Sequence, residues 1–325
     1  MPDLSVKIGR LKLKNPVMVA SGTFGYAEEF KDFIDFKKLG AIITKTITLK
    51  PRQGNPPPRT CETPAGMLNS IGLENPGLEV FLKDKLPGLI KTGSPIIVSI
   101  ASEADPGEFA VLAQRLDKIK TVAAIELNIS CPNIKSQVAG RPSTLLGAGR
   151  SQVCNMRPLI SQDAKATYNL VSAVRKVTRK TLITKLSPNV TDIAEIARAA
   201  AKAGTDAVSL VNTFYGMSID IDTRTPRLGN TIGGLSGPAI RPIAVRMAWE
   251  AYQKIKIPII GMGGIMNTQD ALEFIIAGAS AVCVGTANFI NPSASVEIVS
   301  GLKKYLQENK IASLNKLIGA LRCGN

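Results

Sequence analysis

The stretch with the clearest capacity for chemistry runs from Ala123 to Asn133. It begins as an apolar, β-branched run typical of a buried strand, and it ends in two amides, a thiol and a proline. Parallel α/β folds build their active sites at such carboxyl ends of strands. The chain contains 0 His, so imidazole cannot act as base, acid or metal ligand. Cys131 is therefore the leading candidate for proton transfer, because a thiol titrates closer to neutrality than any remaining group except the N-terminal amine.

Two lysines, Lys45 and Lys185, stand within apolar runs. A lysine is costly there unless it meets an anion or an electron-rich ring, although snorkelling to the rim is a structural alternative. Glycines follow two late strands, at Gly261–Gly264 and at Gly285, and each precedes a helical stretch. Such turns hold phosphate well, although a glycine there can also serve the turn alone. Together the lysines and a phosphate site favour a cofactor that gains negative charge, such as a reduced flavin.

Four asparagines lie at turns or strand ends: Asn69, Asn128, Asn133 and Asn212. A single Asn in such a place is more often a turn former than a ligand. Four amides on one rim would suit a planar ligand with alternating N–H and C=O groups, such as a pyrimidine.

The elements that must position these residues alternate between short apolar runs and amphipathic helical stretches. Eight such runs follow a polar, hairpin-like segment at Leu4–Leu13. Continuous rather than alternating apolar strands are typical of a parallel sheet covered by helices. The count predicts an α/β fold, a closed (β/α)8 TIM barrel with a short N-terminal β-hairpin, with an open doubly wound sheet as the alternative. We expect one domain over residues 1–325.

Three connections are long and lack a clear helix or strand pattern: Lys50–Pro87, Ile134–Ile160 and Phe214–Gly237. Each follows a strand end, so we expect long loops over the carboxyl-terminal face of the barrel, acting as lids. Residues 134–160 are the predicted inserted or extended active-site lid.

Composition restricts the function further. The formal net charge of +15 predicts attraction for anions, but dispersed basic residues and 5% aromatics argue against nucleic acid as a partner. The 5 cysteines include no CxxC pair, which argues against a disulfide framework, an iron–sulfur cluster or a metal site in this chain. The sequence has no signal-peptide pattern and no apolar run long enough for a bilayer. We expect a cytoplasmic protein without a membrane association.

Taken together, these motifs resemble the class 1 dihydroorotate dehydrogenases, most of all the B type, the FMN-containing catalytic subunit of the NAD-linked enzyme. The resemblance covers nearly the whole chain. Its markers include Ala20–Gly22, Thr44–Thr46, Met67–Leu73, Asn128–Asn133, Lys185–Asn189, Asn212–Thr213, Gly233–Pro238, Gly263–Gly264 and Gly285–Thr286.

The resemblance implies roles for residues at these positions. The substrate would be held by Lys45, Asn69, Ser70, Ile71, Gly72, Leu73, Asn128, Asn133, Asn212 and Thr213. FMN would be held by Ser21, Lys45, Thr46, Ser99, Asn128, Lys185, Val211, Gly237, Gly263, Gly264, Gly285 and Thr286.

The reaction implied is the oxidation of dihydroorotate to orotate in pyrimidine biosynthesis. Cys131 would remove the C5 proton while FMN accepts the C6 hydride. Electrons would then pass to NAD through a partner subunit that carries FAD and a [2Fe-2S] cluster, with a homodimer core inside a heterotetramer. The alternatives are a fumarate-linked dihydroorotate oxidase, a dihydropyrimidine dehydrogenase-like FMN enzyme, and a non-catalytic protein that binds anionic ligands or nucleic acid.

One feature departs from the family pattern. Between Cys131 and Lys185 the chain is longer than the family's usual spacing, and Ser136–Ile160 replaces a compact glycine-rich continuation. We expect its arginines either to recruit the anionic substrate or to lie on a subunit contact.

Overall fold

The structure is a computed structural model that describes residues 1–102, 105–130 and 159–322. Its strands are β1 (Val6–Ile8), β2 (Leu11–Leu13), β3 (Val17–Val19), β4 (Ala41–Ile43), β5 (Thr60–Thr63), β6 (Gly66–Asn69), β7 (Ile96–Ile100), β8 (Val122–Asn128), β9 (Thr181–Lys185), β10 (Ala207–Leu210), β11 (Phe214–Gly216), β12 (Ile219–Asp220), β13 (Thr225–Pro226), β14 (Gly233–Ser236), β15 (Ile259–Met262) and β16 (Ala281–Val284). Its α-helices are α1 (Gly77–Val80), α2 (Leu86–Lys91), α3 (Gly107–Asp117), α4 (Ala164–Val177), α5 (Ile193–Lys202), α6 (Arg241–Tyr252), α7 (Thr268–Ile276), α8 (Ala287–Ile290) and α9 (Ala294–Glu308).

Eight of these strands close into a parallel barrel in the order β3-β4-β7-β8-β9-β10-β15-β16, with β16 pairing back to β3. Helices lie between successive strands, so the predicted (β/α)8 barrel is confirmed. Strands such as β7 and β9 are buried along their whole length, because the barrel interior covers one face and the helices cover the other.

The helices follow local sequence signals. Helix α5 begins after Asp192, whose carboxylate accepts hydrogen bonds from the backbone N–H groups of Ala194 (2.8 Å) and Glu195 (3.1 Å). Such a cap satisfies N–H groups that have no partner within the helix. The apolar face of α5, which includes Ile193 and Ile196, is buried against the barrel.

The predicted N-terminal hairpin is also confirmed. Strands β1 and β2 pair antiparallel from Val6–Leu13 to Ile8–Leu11. Gly9 at the turn has φ +57°, a left-handed conformation that glycine adopts without steric cost.

Two of the long connections differ from the prediction, since they contain regular structure. Four strands form an antiparallel sheet in the order β11-β14-β6-β5, which we call the mouth sheet. In addition, the stretch predicted as a loop to Pro87 becomes helical from Gly77 onwards. The mouth sheet escaped prediction because its strands are short and its two halves, β5–β6 and β11–β14, are far apart in the chain. Among the described residues, no helix is both long and apolar enough to cross a membrane.

Candidate active site

A cavity of about 420 Å³ lies at the carboxyl ends of the barrel strands, beside the mouth sheet. This size is typical of a small-molecule site. Most of the residues singled out from the sequence line it: Ser21, Lys45, Thr46, Asn69, Ile71, Gly72, Leu73, Asn128, Lys185, Val211, Asn212, Thr213, Gly237, Gly263, Gly264, Gly285 and Thr286.

Four predicted site residues are not among the lining residues. Cys131 and Asn133 lie outside the described residues. Ser70 is buried at the edge of the mouth sheet, where its backbone N–H donates to the Arg59 carbonyl at 2.7 Å. Ser99 is buried in β7, below the cavity, and contacts it through Thr46.

The two predicted lysines both reach the cavity, from different depths. Lys185 ends β9 and is only 4% exposed, whereas Lys45 is partly exposed just beyond the end of β4. Within the described residues, no carboxylate lies within 4.0 Å of either Nζ atom, and Lys185 Nζ donates only to Ser21 Oγ at 3.4 Å. A nearly buried ammonium group that no carboxylate contacts is costly. The cavity is therefore prepared for an anion or for a group that becomes one.

Three of the four predicted amides meet at the cavity. Asn128 ends β8, and its Nδ2 donates to Thr46 Oγ1 at 3.0 Å. Asn212 follows β10, and its Nδ2 donates to Ser130 Oγ at 3.0 Å. Asn69 ends β6 in the mouth sheet and donates to the Gly234 carbonyl at 3.2 Å. These contacts fix the side chains before any ligand arrives, which lowers the entropy cost of binding.

The backbone of the predicted Ser70–Leu73 loop is also fixed. Gly72 has φ +75° and Leu73 has φ +57°, and a Cβ on Gly72 would lie 2.5 Å from the Asn55 side chain. Arg52 Nε donates to the Gly72 carbonyl and ties the loop to the preceding segment. The loop therefore presents its backbone groups to the cavity in one defined conformation.

The glycines behind the predicted phosphate site separate into two kinds. Gly263 (φ +125°) and Gly264 (φ +73°) have backbone conformations that favour glycine, and a Cβ on Gly264 would lie 2.8 Å from the Gly237 carbonyl oxygen. Gly285 has no positive φ, and its nearest neighbour to an added Cβ would be the Ala20 methyl at 3.7 Å, an ordinary contact. Neither backbone strain nor packing explains the glycine at 285. Gly285 lines the cavity, so its backbone is open to close approach from there.

Sequence reasoning missed several residues of the cavity and of its floor. Glu126 is 0% exposed in the middle of β8, and two hydroxyls donate to its carboxylate. A charged residue in an apolar run, two positions before Asn128 and so on the same strand face, was the available signal. Other missed lining residues are Ala20, Gly22, Thr23, Thr60, Met67, Glu74, Ser236, Ile240, Met262, Cys283 and Phe289.

Cys283, expected only as a buried apolar residue, also borders the cavity. Burial raises the pKa of its thiol well above the usual range; the nearby Glu126 carboxylate adds to this rise, and the Lys185 ammonium opposes it. Cys283 therefore stays a neutral thiol and is unsuited to act as a base near pH 7.

The fold and the placement of this cavity define a class of protein, the (β/α)8-barrel enzymes, which carry their sites at the carboxyl ends of the strands. A family model described as dihydroorotate dehydrogenase matches residues 3–147 and 151–306. The chain belongs to the dihydroorotate dehydrogenase family. The two matched segments are separated by residues 148–150, within the stretch predicted as an insertion.

Individual relatives agree with the family match. Proteins named dihydroorotate dehydrogenase B (NAD(+)), catalytic subunit, are 51% identical in Geotalea uraniireducens over 320 residues, covering 98% of each chain, and 51% identical in Trichlorobacter lovleyi over 98% of this chain and 99% of the relative. The protein of that name from Thermoanaerobacter pseudethanolicus is 50% identical over the same shares. The resemblance to the B type is thereby confirmed, as is the expectation of an enzyme of the dihydroorotate dehydrogenase type.

Proposed function

We propose that this chain oxidises dihydroorotate to orotate in pyrimidine biosynthesis and does so as an FMN-bearing catalytic subunit. One observation supports the proposal most strongly. A single cavity collects two lysines without carboxylate partners in the described residues and three hydrogen-bonded amides, which is a donor and acceptor set suited to a flat anionic ring. The names of the relatives point to the same substrate.

The substrate side of the cavity is built from the amides and one cation. Asn69, Asn128 and Asn212 present carboxamides that suit the N–H and C=O groups of a dihydropyrimidine ring. Lys45 supplies positive charge for the ring carboxylate. Thr213, the Ser70–Leu73 loop and Asn133 complete the proposed substrate set, of which Asn133 lies outside the described residues.

The cofactor side fits FMN. Gly285 leaves room for close approach of a phosphate, and Gly263 and Gly264 turn the backbone beside it. Lys185 places its charge at the cavity floor, where it stabilises an anion. The full proposed FMN set is Ser21, Lys45, Thr46, Ser99, Asn128, Lys185, Val211, Gly237, Gly263, Gly264, Gly285 and Thr286. When bound, FMN supplies the acceptor for the hydride from C6 of the substrate.

We assign proton removal from C5 to Cys131. The chain contains 0 His, and the thiol of Cys283 is held neutral, which leaves Cys131 as the cysteine that directly follows the strand bearing Asn128. Ser130, its neighbour in the chain, is 0% exposed and is hydrogen-bonded to both Asn128 and Asn212. Those bonds fix the chain at the entrance to the Cys131 segment. Residues 134–160 remain our proposed lid.

A second subunit completes the proposed assembly. The relatives are named catalytic subunits, which implies at least one further subunit in those proteins. We propose that a partner of this chain carries FAD and a [2Fe-2S] cluster and passes electrons to NAD, around a homodimer of this chain in a heterotetramer.

Anaerobic spectroscopy tests the proposal. The purified chain should show the absorbance of bound flavin, and dihydroorotate should bleach it. Dihydrouracil, which lacks the carboxylate, distinguishes a dihydropyrimidine dehydrogenase-like enzyme, and reoxidation by fumarate distinguishes a fumarate-linked oxidase. A colourless protein, or a flavin that dihydroorotate leaves oxidised, would contradict the proposed function.

A further inference from the structure

Glu126 is a buried acid that the proposed reaction does not use. It lies in the middle of β8 and is 0% exposed. Both carboxylate oxygens accept hydrogen bonds, Oε1 from Ser99 Oγ at 2.9 Å and Oε2 from Ser209 Oγ at 3.2 Å. Such an acid is a candidate for a role beyond stability, because an apolar residue of similar size would fill the same space at lower cost.

The bond from Ser99 fixes the direction of the next two hydrogen bonds. A hydroxyl has one proton, and Ser99 donates it to Glu126. Thr46 must therefore donate to Ser99 across their 2.9 Å contact. The Thr46 oxygen is then an acceptor, and it accepts from Asn128 Nδ2 at 3.0 Å. The acid at the floor thus determines which end of the Asn128 carboxamide faces Thr46.

The hydrogen bonds keep the same donor-to-acceptor direction as far as the second proposed substrate amide, Asn212. Asn128 Oδ1, on the other side of the carboxamide, accepts from Ser130 Oγ at 3.2 Å. Ser130 Oγ in turn accepts from Asn212 Nδ2 at 3.0 Å. Backbone groups fix the orientation of Asn212 itself, because its Nδ2 also donates to the Ser130 carbonyl oxygen at 3.1 Å and its Oδ1 accepts from the Thr213 N–H at 2.9 Å. Every donor in the series Asn212, Ser130, Asn128, Thr46 and Ser99 points towards Glu126.

Glu126 also contributes charge to the floor of the cavity. Its carboxylate is two hydrogen bonds away from Thr46, which lines the cavity. In agreement with this position, Glu126 raises and Lys185 lowers the pKa of the Cys283 thiol, which borders the same cavity. The two charges therefore act on the same region, with opposite signs. A carboxylate there disfavours the gain of negative charge in the cavity, whereas Lys185 favours it.

We propose that Glu126 is a positioning residue that sets the orientation of the Asn128 carboxamide and lowers the reduction potential of the bound flavin. The proposal deepens, and rests on, the proposed dihydroorotate oxidation. Glu126 is not among the cavity-lining residues, and it acts through Ser99 and Thr46.

Replacing Glu126 by glutamine removes the negative charge and keeps the shape of the side chain. A carboxylate only accepts, whereas the Gln side chain can also donate to Ser99. With that donation the series can reverse, so that Ser99 donates to Thr46 and Thr46 donates to Asn128. The Asn128 carboxamide would then present its oxygen to Thr46 and its N–H groups to Ser130. Glu126→Gln therefore allows two orientations of the substrate amide where the acid allows one.

The experiment measures two quantities on the FMN-loaded chain, the flavin midpoint potential by reductive titration and the orotate Kd by the spectral change of the flavin. For Glu126→Gln we expect a potential about 30 mV higher, which is a tenfold change for a two-electron couple. We also expect orotate to bind about tenfold more weakly, as for the loss of one well-oriented hydrogen bond. Thr184→Val is the matched control, because Thr184 is a buried hydroxyl on β9 that bonds to Thr205 Oγ1 at 3.0 Å, away from the cavity.

Ser99→Ala keeps the carboxylate and interrupts the series, so we expect the FMN-loaded variant to bind orotate more weakly. This variant decides the question if Glu126→Gln does not fold. The proposal is contradicted if a folded Glu126→Gln or Ser99→Ala binds orotate as tightly as the wild type, or if Thr184→Val weakens binding equally. If the wild-type chain binds FMN but not orotate, the proposed function fails instead, and the potential of Glu126→Gln still tests the role of the charge.

Discussion

Lys185 Nζ donates to Ser21 Oγ across the full width of the barrel, at 3.4 Å. Lys185 ends β9 and Ser21 follows β3, and these strands are four places apart in either direction around the barrel. The side chain of Lys185 therefore crosses the floor of the cavity and does not lie along its wall. Within the described residues it meets a hydroxyl there and no carboxylate within 4.0 Å.

Lys185→Met should keep the length of the side chain and remove its charge. We expect a lower flavin midpoint potential and a reduction by dihydroorotate that is about 10²-fold slower, because a fixed charge at the site of developing negative charge is lost. Stopped-flow absorbance under anaerobic conditions measures the rate. Lys202→Met, at an exposed position of α5, is the control, and an unchanged rate in Lys185→Met would contradict the role of the charge.

Gly285→Ala should weaken FMN binding, whereas Gly264→Ala should destabilise the fold. At Gly285 the added methyl meets only an ordinary 3.7 Å contact with Ala20, so we expect the free energy of unfolding to change by less than about 0.5 kcal/mol. The methyl enters the proposed phosphate site, and we expect FMN to bind at least about tenfold more weakly. At Gly264, φ +73° and the Gly237 carbonyl should cost the fold roughly 1–3 kcal/mol.

Urea unfolding and FMN titration of the apoprotein measure the two effects of these glycine variants separately. If Gly285→Ala binds FMN with wild-type affinity, the FMN phosphate does not bind in this part of the cavity.

Cys131→Ala should leave binding largely intact while slowing proton removal. We expect flavin reduction to slow by about 10²- to 10⁴-fold, the usual contribution of a general base, with little change in the orotate Kd. Cys61→Ala is the matched control, since Cys61 lies in β5 and is not among the cavity-lining residues. Rapid mixing measures the rate of flavin reduction. A wild-type rate in Cys131→Ala would show that another group takes the proton.

Asp117 links the end of α3 to the turn before β9, away from the cavity. Partial burial alone would raise the pKa of its carboxyl, but hydrogen bonds from Thr178, Arg179 and Lys180 outweigh that effect and hold the pKa below its usual value. Because the folded-state pKa is depressed, the ionised Asp117 carboxylate stabilises the fold, and this stabilisation is fully present above the unfolded-state pKa of about 4. It is lost as the pH falls through the folded-state pKa.

Asp117→Asn should therefore lower the free energy of unfolding near neutral pH by roughly 1–2 kcal/mol, and this difference should shrink in acid. Urea unfolding of both proteins across this pH range measures it. A difference that stays constant into acid would mean that the carboxylate charge is not its source.

The barrel was predictable because its strands carry a local signal. The run from Ala124 to Ser130 is apolar and β-branched, and its polar end follows at once, so both the strand and the site at its end could be inferred. The carboxyl-terminal ends of parallel strands converge, which brings Lys45, Lys185 and the amides to one cavity without any knowledge of side-chain contacts.

The mouth sheet was not predictable in the same way. Asn69 pairs with Gly234, and nothing in either short strand identifies so distant a partner, because strand pairing depends on the whole fold. Glu126 was missed for a different reason. Like the two lysines, it is a charged residue in an apolar strand. Its hydrogen-bonded series, however, forms only where β4, β7 and β8 lie side by side.

The most direct test of the account is a crystal structure of the chain with FMN and orotate. We predict that orotate lies among Asn69, Asn128 and Asn212 with its carboxylate near Lys45, that the FMN phosphate approaches the backbone of Gly285, and that Lys185 contacts the flavin ring. A flavin or an orotate bound outside this cavity, or a cavity that holds both with Cys131 remote from C5, would contradict the account.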